Sequence, residues 1–195
     1  ILHKGKIIYE KYFAGLKPEG IHASMSISQS FLALIALSLI TEGLIDSHQL
    51  ITHYIPELEK SGFADATVQE LLDMTTAVQY SQEYTNPHAD IWKFSEAGSH
   101  YKQHKSSKPQ NYYEYLQSVK KKENLNHGEV FGYKTINSEV LGWLISRVTG
   151  KCITELISEK IWRPMGAHYD GYYQIDTAGK AFSGGGYNLN LRDMA

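Results

Sequence analysis

One long run of hydrophobic residues near the start of the chain sets the first expectation about the fold. Residues 31–40 read Phe-Leu-Ala-Leu-Ile-Ala-Leu-Ser-Leu-Ile, so a helix formed there is apolar on every face. We therefore expect a buried helix that begins near Ser26 and ends at Gly43. The run is shorter than a bilayer-spanning helix, so no membrane span is expected.

Shorter patterns predict the other elements. Residues 1–13 alternate around Lys4-Gly5-Lys6, which predicts a β-hairpin at the start of a sheet, with its second strand over residues 7–13. Residues 79–108 are polar and aromatic with little periodicity, which favours a loop beside a cleft. Four more helices are predicted. A short helix follows the capping box of Thr67 and Glu70, and a second covers residues 111–122. A third covers residues 137–148, with Asn137 as its N-cap and Gly150 at its C-terminal end, and a fourth begins at Ile153 and ends before Pro164.

Composition narrows the functional classes. The 195 residues are 42% hydrophobic and carry a formal net charge of −2, which is typical of a globular protein of one domain or two closely packed lobes. The near-neutral charge argues against nucleic acid as a partner, and we interpret the lysine run 120–122 as the solvated end of a helix. Cys152 is the only cysteine, which excludes an internal disulfide but leaves the compartment open between cytoplasm and periplasm.

No cofactor or metal site is expected. The run Ser183-Gly184-Gly185-Gly186 lacks the Lys-Ser/Thr pair of a phosphate loop and the spacing of a dinucleotide site, so it predicts close backbone packing instead. His100 and His104 have the spacing of a metal-binding pair on a helix, but they lack the intervening glutamate and no helix is predicted there.

Both ends of the chain have the pattern of an interrupted sequence. Ile1 starts within the predicted hairpin without an initiator methionine, and residues 190–195 have the pattern of a capped first helical turn. We therefore expect a chain that is trimmed at its N-terminus and truncated at its C-terminus. In such a chain the lack of a targeting peptide carries no information.

The candidate chemistry lies where the long helix begins. The segment Ser26-Ile27-Ser28-Gln29 has the layout of a Ser-x-x-Lys nucleophile motif, in which the lysine amine lies one helical turn from the serine hydroxyl and takes its proton. Glutamine stands in the lysine position, and a neutral amide cannot act as this base. The free N–H groups of the first helical turn favour a developing oxyanion. The alternative is that the serines only cap the helix.

Several short segments, taken in order along the chain, carry a family resemblance. They are residues 26–31, 42–46, 54–58, 71–76, 131–137, 141–143, 148–150, 184–186 and 191–193. Together they resemble the serine β-lactamase and penicillin-binding superfamily, in particular its class C-like esterases and amidases. Within that superfamily, Glu83-Tyr84-Thr85-Asn86-Pro87 is similar to the substrate loop of the aminohexanoate-dimer (nylon-oligomer) hydrolases.

The resemblance implies an architecture. It is a β-lactamase-like, two-lobed α/β (α+β) fold with an antiparallel sheet flanked by helices. We expect residues 1–45 and 131–195 to form the α/β lobe and residues 46–130 to form an inserted helical and loop-rich lobe. The reaction site would lie in the cleft between them.

The resemblance also implies roles for single residues. Ser26 would be the acylated nucleophile, Tyr133 the second proton-transfer residue and Tyr84 a substrate-side hydrogen-bond donor. For the two tyrosines, core or loop packing is the alternative. Lys134 follows Tyr133, but its side chain should point away from that tyrosine in an extended segment, so we interpret it as a surface lysine. The family's third motif, a basic or histidine-containing strand, is not found before Ala195.

We therefore expect a serine hydrolase that cleaves an amide or ester bond of a small-molecule substrate through an acyl-enzyme on Ser26. Gln29, in place of the motif lysine, would impair it. One alternative is a catalytically silent β-lactamase-like protein that binds a peptide, a cell-wall fragment or another protein. Another is that Gln29 is an engineered change that traps a substrate. The acyl group and the oligomeric state stay open.

Overall fold

Two long helices organise residues 1–99 and 111–195, the part of the chain that the computed structural model describes. Helix α1 (Ser28–Thr41) packs against helix α6 (Thr135–Thr149). The shorter helices are α2 (Ile51–Tyr54), α3 (Val68–Leu72), α4 (Asp90–Gly98), α5 (Tyr112–Ser118), α7 (Ile153–Ile157), α8 (Arg163–Met165) and α9 (Leu191–Met194). The chain also forms 3₁₀ turns at Met25–Ile27 and Pro56–Leu58, and a π-helical turn at Ser158–Trp162.

The strands of the described residues form two antiparallel sheets. In the first, β1 (Leu2–His3) pairs with β2 (Lys6–Ile7). In the second, β3 (Ile21–Ala23), β5 (Tyr187–Asn190) and β4 (Tyr172–Tyr173) lie side by side in that order. The central strand β5 is buried along its whole length, and it pairs with the strand that leads into α1. This pairing brings a late segment of the chain to the start of α1.

The predicted hairpin is confirmed at its turn but not in its extent. Lys4 (φ 48°) and Gly5 (φ 74°) adopt the left-handed conformation of a tight two-residue connection. The second strand ends at Ile7 instead of continuing to residue 13, and the hairpin forms a sheet of its own. All four paired residues are exposed, so no buried face supports longer pairing.

Helix α1 is buried on one side only. Its buried residues are Ser28, Leu32, Ile35, Ala36 and Leu39. Leu34 and Leu37 are 57% and 53% exposed, so the expectation of burial on every face is wrong. Within the described residues, α1 packs against α6 and α7, and these neighbours leave its Leu34 and Leu37 face uncovered.

Helix α6 is buried through most of its length and ends as predicted. Gly150 follows it with φ 67°, the left-handed conformation that closes many helices. The predicted N-cap is wrong, because the helix begins at Thr135 and Asn137 lies inside its first turn. Asn137 is fully buried and its Oδ1 accepts a hydrogen bond from Thr76 Oγ1 at 2.7 Å. The first helical N–H, that of Thr135, instead donates to the side chain of Gln82 at 2.8 Å.

Other helix boundaries also differ from the predictions. The segment 79–108 contains α4, whose buried Ile91, Phe94 and Ala97 recur at helical spacing in a mostly polar sequence. Helix α5 ends before the lysine run 120–122. The prediction that the last helical stretch ends before Pro164 is wrong, because helical structure continues from α7 through the π-helical turn into α8, which contains Pro164.

A hydrophobic core runs through both predicted lobes. It includes Phe63 and Phe94 from the predicted inserted lobe and Leu32 from the other. The division into lobes stays a prediction. Within residues 1–99 and 111–195, no helix has the length and apolar character needed to cross a membrane, and no three side chains form a potential metal site. The pair His100 and His104 lies outside these residues.

Candidate active site

Ser26 lies in the 3₁₀ turn between β3 and α1. Both ends of this turn are fixed, since β3 pairs with β5 and α1 is anchored in the core. Met25, the residue before Ser26, has φ 50°, a left-handed conformation that is uncommon outside glycine and asparagine. Ser26 is exposed there and lines a cavity.

The serines on either side are engaged in structural hydrogen bonds. Ser24 Oγ donates to Tyr187 O at 2.7 Å. Ser28 Oγ donates to Met25 O at 2.6 Å and accepts from Tyr187 N at 3.1 Å. Both serines are buried, so a structural role accounts for them. Ser26 is thus the serine of this turn that is open to a ligand.

Gln29 connects α1 to two other parts of the candidate site. Its Nε2 donates to Tyr133 Oη at 2.6 Å and to Gly184 O at 3.0 Å. The Gly184 carbonyl can only accept, so this contact identifies the amide end that faces the site as Nε2. Tyr133 Oη is therefore the acceptor of the Gln29 hydrogen bond. Its own hydrogen stays available to a further partner.

Tyr133 lies in an extended segment that is fastened to the turn after α3. Gly132 N, next to Tyr133, donates to Met74 O at 2.9 Å, and Gly128 N donates to Thr75 O at 3.0 Å. The Met74-Thr75-Thr76 turn, part of the predicted family motif, therefore holds the backbone that presents Tyr133. The Tyr133 side chain remains 44% exposed.

Lys134 is buried, and the prediction of a surface lysine is wrong. Only 6% of the residue is exposed. Its Nζ donates to Thr76 O at 2.9 Å and to Gly132 O at 3.1 Å, and these carbonyls satisfy the ammonium group inside the protein. Burial, with a smaller contribution from Lys122, lowers the pKa of Lys134. Lys134 thereby fastens the Tyr133 segment to the Thr76 turn.

A buried carboxyl group on α6 positions the turn that carries the Gly184 carbonyl. Glu139 is 1% exposed and accepts hydrogen bonds from Gly184 N at 2.6 Å and Ser183 N at 3.2 Å. Burial raises the pKa of Glu139 to about 8. A Cβ at Gly184 would lie 2.5 Å from Thr135 Cγ2, so the turn has no room for a side chain. This agrees with the prediction of close backbone packing at residues 183–186.

The cavity beside Ser26 has a volume of about 480 Å³. Its apolar and aromatic lining residues are Met25, Ile91, Trp92, Phe94, Tyr112 and Phe182. Tyr84 also lines it, with its ring centroid 6.1 Å from that of Trp92 in an edge-on arrangement. None of the described residues that line the cavity carries a formal charge. Such a surface suits an uncharged group with a few polar contacts.

The predicted site residues thus meet in two groups. Ser26 and Tyr84 line the same cavity. Gln29 and Tyr133 are hydrogen-bonded to each other, and Gln29 also contacts Gly184, which lines that cavity.

Sequence reasoning missed two polar side chains at this site, Gln82 and Glu139, and assigned a third, Lys134, to the surface. Each of them acts on a partner that is distant in sequence, so no local motif announces it. Glu139 alone left a trace, because it is a charged residue within an otherwise buried helix.

A serine and a tyrosine beside one uncharged cavity are typical of a hydrolase site, and comparison with known proteins shows the family. The family model described as "Beta-lactamase" matches residues 1–186, so the chain belongs to the β-lactamase family. The predicted superfamily and the predicted β-lactamase-like fold are therefore confirmed.

Two individual relatives and one further solved structure show which members of the family this chain is similar to. The 6-aminohexanoate-dimer hydrolase of Paenarthrobacter ureafaciens is 31% identical over 195 residues, which is 100% of this chain and 49% of that protein. A solved structure named "Putative 6-aminohexanoate-dimer hydrolase from Bacillus anthracis" superposes with a TM-score of 0.90 at 32% identity, over 98% of this chain and 50% of that one. A class C β-lactamase shares the fold at a TM-score of 0.64 and 16% identity, over 92% of this chain and 49% of that one. The chain spans about half the length of these relatives.

Proposed function

We propose that this chain carries the nucleophile side of a hydrolase site that cleaves an amide or ester bond in a small molecule. Ser26 is the nucleophile, Tyr133 the proton-transfer residue and Tyr84 a donor to the substrate. One observation carries the proposal: Ser26 faces an uncharged cavity, and one helical turn further on, Gln29 contacts both Tyr133 and the cavity wall. The two relatives named 6-aminohexanoate-dimer hydrolase support hydrolysis as the reaction class.

The proposed reaction uses these residues in the following order. Ser26 Oγ attacks the carbonyl carbon of the substrate, and the positive end of the α1 dipole favours the tetrahedral oxyanion that forms. Tyr133 relays the proton: its oxygen accepts the hydrogen of Ser26 while its own hydrogen passes to the departing alcohol or amine. Collapse releases that leaving group and forms an ester on Ser26. A water molecule then hydrolyses the ester and returns the free serine.

Gln29 is expected to lower the rate of the acylation step. The amide donates to Tyr133 Oη, but it has no basic lone pair for the Ser26 proton and no positive charge. Tyr133 must therefore act without a neighbouring amine. We expect substrate binding to be retained and acylation to be slow.

A binding protein without catalytic activity is the second candidate. The observation that favours it is the Gln29 amide, whose Nε2 is fully engaged by Tyr133 and Gly184. A side chain fixed in this way stabilises the cleft without promoting proton transfer.

Covalent labelling separates the two candidates. The full-length protein is treated with a fluorophosphonate, and the adduct is mapped by mass spectrometry. We expect labelling at Ser26, loss of labelling in Ser26→Ala, and retained labelling in Ser28→Ala as the matched control. Labelling at another serine would overturn the assignment of the nucleophile, and no labelling of the folded protein would favour the binding protein.

A further inference from the structure

Gln82 makes three hydrogen bonds with its single amide group, and all three lie at the site. Its Oε1 accepts from Thr135 N at 2.8 Å. Its Nε2 donates to Thr135 Oγ1 at 2.8 Å and to Tyr84 Oη at 2.7 Å. One side chain therefore joins the loop that carries Tyr84 to the first residue of α6.

The backbone contact fixes the orientation of the amide. A backbone N–H can only donate, so the atom of Gln82 that faces Thr135 N is Oε1, and the atom that faces Tyr84 is Nε2. Because Nε2 can only donate, Tyr84 Oη is the acceptor in that pair. The Tyr84 hydroxyl hydrogen consequently stays free for an acceptor in the cavity.

Tyr84 depends on this contact for its position. It is 59% exposed, and its ring contact with Trp92 is edge-on at 6.1 Å. An exposed tyrosine on a loop otherwise samples several rotamers, which costs entropy when it must be ordered for a ligand. Thr135 is 3% exposed and begins the buried helix α6, so Gln82 anchors Tyr84 to a rigid part of the fold.

We propose that Gln82 is a positioning residue that holds Tyr84 as a hydrogen-bond donor, so that the site selects substrates with an uncharged acceptor oxygen beyond the scissile carbonyl. This inference rests on the proposed function, since it concerns the substrate of the same site. The selected oxygen is a ketone, amide or ether group on an uncharged chain, because no described lining residue of the cavity offers a charge to an ionic one.

The test compares two esters of equal chain length in the full-length protein. One is p-nitrophenyl 4-oxopentanoate, which carries a ketone, and the other is p-nitrophenyl pentanoate, which does not. The measured quantity is the ratio of their acylation efficiencies, kcat/KM. We expect the wild-type protein to favour the keto ester about fivefold, the size of one neutral hydrogen bond.

Gln82→Glu is the decisive variant. The carboxylate still accepts from Thr135 N, but it also accepts from Tyr84, so it retains the anchor and consumes the hydroxyl hydrogen. The preference should fall to about one in Gln82→Glu, in Tyr84→Phe and in the double variant, without further loss on combination. A merely structural role for Gln82 would leave the preference intact in this conservative variant. Gln79→Glu, which adds the same charge at an exposed position of the same segment, should keep the wild-type ratio.

Each other outcome is informative. Wild-type preference in Gln82→Glu, with Ser26 still acylated, would overturn the role of Gln82 alone. Absence of acylation at Ser26 in the wild-type protein would overturn the proposed function and this inference together. If Gln82→Glu does not fold, Gln82→Met serves instead: it removes the anchor without adding charge, and a retained preference there would equally contradict the proposal.

Discussion

Replacing Gln29 with lysine would place an amine one helical turn from Ser26. The glutamine Nε2 now lies 2.6 Å from Tyr133 Oη and 3.0 Å from Gly184 O, and both of these oxygens can accept from an ammonium group. Lysine is longer by one bond, about 1.5 Å, and residue 29 is only half-buried, so the longer chain can be accommodated. In its neutral form the amine donates its two hydrogens to these oxygens and keeps a lone pair that can take the Ser26 proton.

The expected gain follows from what the amide cannot do. A positioned general base contributes about 10² to 10⁴ in rate. Tyr133 Oη and Gly184 O already accept from residue 29, and these two acceptors offset the cost of desolvating the amine. We therefore expect the acylation rate to rise at least about a hundredfold, which corresponds to about 2.7 kcal/mol of transition-state stabilisation. The dissociation constant of the ester, taken from the concentration dependence of the burst rate, should change little, because the amine acts on the transition state and not on the bound ester.

Burst-phase kinetics with a short-chain p-nitrophenyl ester measure this directly. The burst reports acylation separately from release of the acyl group, and circular dichroism verifies the fold of each variant. Gln29→Met is the matched control, because it has a similar length and no amine. Ser26→Ala in the lysine background should abolish the burst.

An unchanged burst rate in the folded Gln29→Lys variant would refute the reasoning. It would mean that the amide is not what limits acylation, and that the site lacks more than a base. The binding-protein candidate would then explain the structure better.

Two further predictions concern the support of the site. The pKa of the Glu139 carboxyl is about 8 in the folded protein, against 4.5 for the free side chain. Between these pH values the folded protein therefore binds one more proton than the unfolded chain. Its free energy of unfolding should consequently fall as the pH rises through about 8. Urea unfolding across that range should show a flatter dependence in Glu139→Gln, and an identical slope in both proteins would contradict the prediction. Gly184→Ala should lower the free energy of unfolding by about 1–3 kcal/mol, because the new Cβ would lie 2.5 Å from Thr135 Cγ2. Thermal unfolding tests it, and an unchanged melting temperature would show that the turn has room for a methyl group.

The local rules of helix formation explain which parts of the fold were predictable. The capping box of Thr67 and Glu70 and the left-handed Gly150 both appear where the sequence indicated them. In each case a single residue interacts with backbone a few positions away, so the sequence contains the whole interaction.

The site was less predictable where tertiary contacts replace local ones. The start of α6 was missed because Gln82, far away in sequence, accepts from its first N–H and acts as a cap. Lys134 was assigned to the surface because its side chain should point away from that of Tyr133 in an extended segment, whereas in the fold two backbone carbonyls receive its ammonium. Helix α4 was missed since three apolar residues, Ile91, Phe94 and Ala97, carry its periodicity in a polar segment.

The left-handed backbone at Met25 bears on how this protein can evolve. A residue with a side chain in that conformation carries about 1–2 kcal/mol of strain that glycine would not have. Mutation to glycine at this position would relieve the strain, but it would also let the Ser26 turn explore many more conformations. Selection for stability alone would therefore favour glycine at position 25, whereas selection for a fixed serine hydroxyl favours the strained methionine. The amino acid at this position in a set of homologues would record which of the two pressures has acted on each lineage.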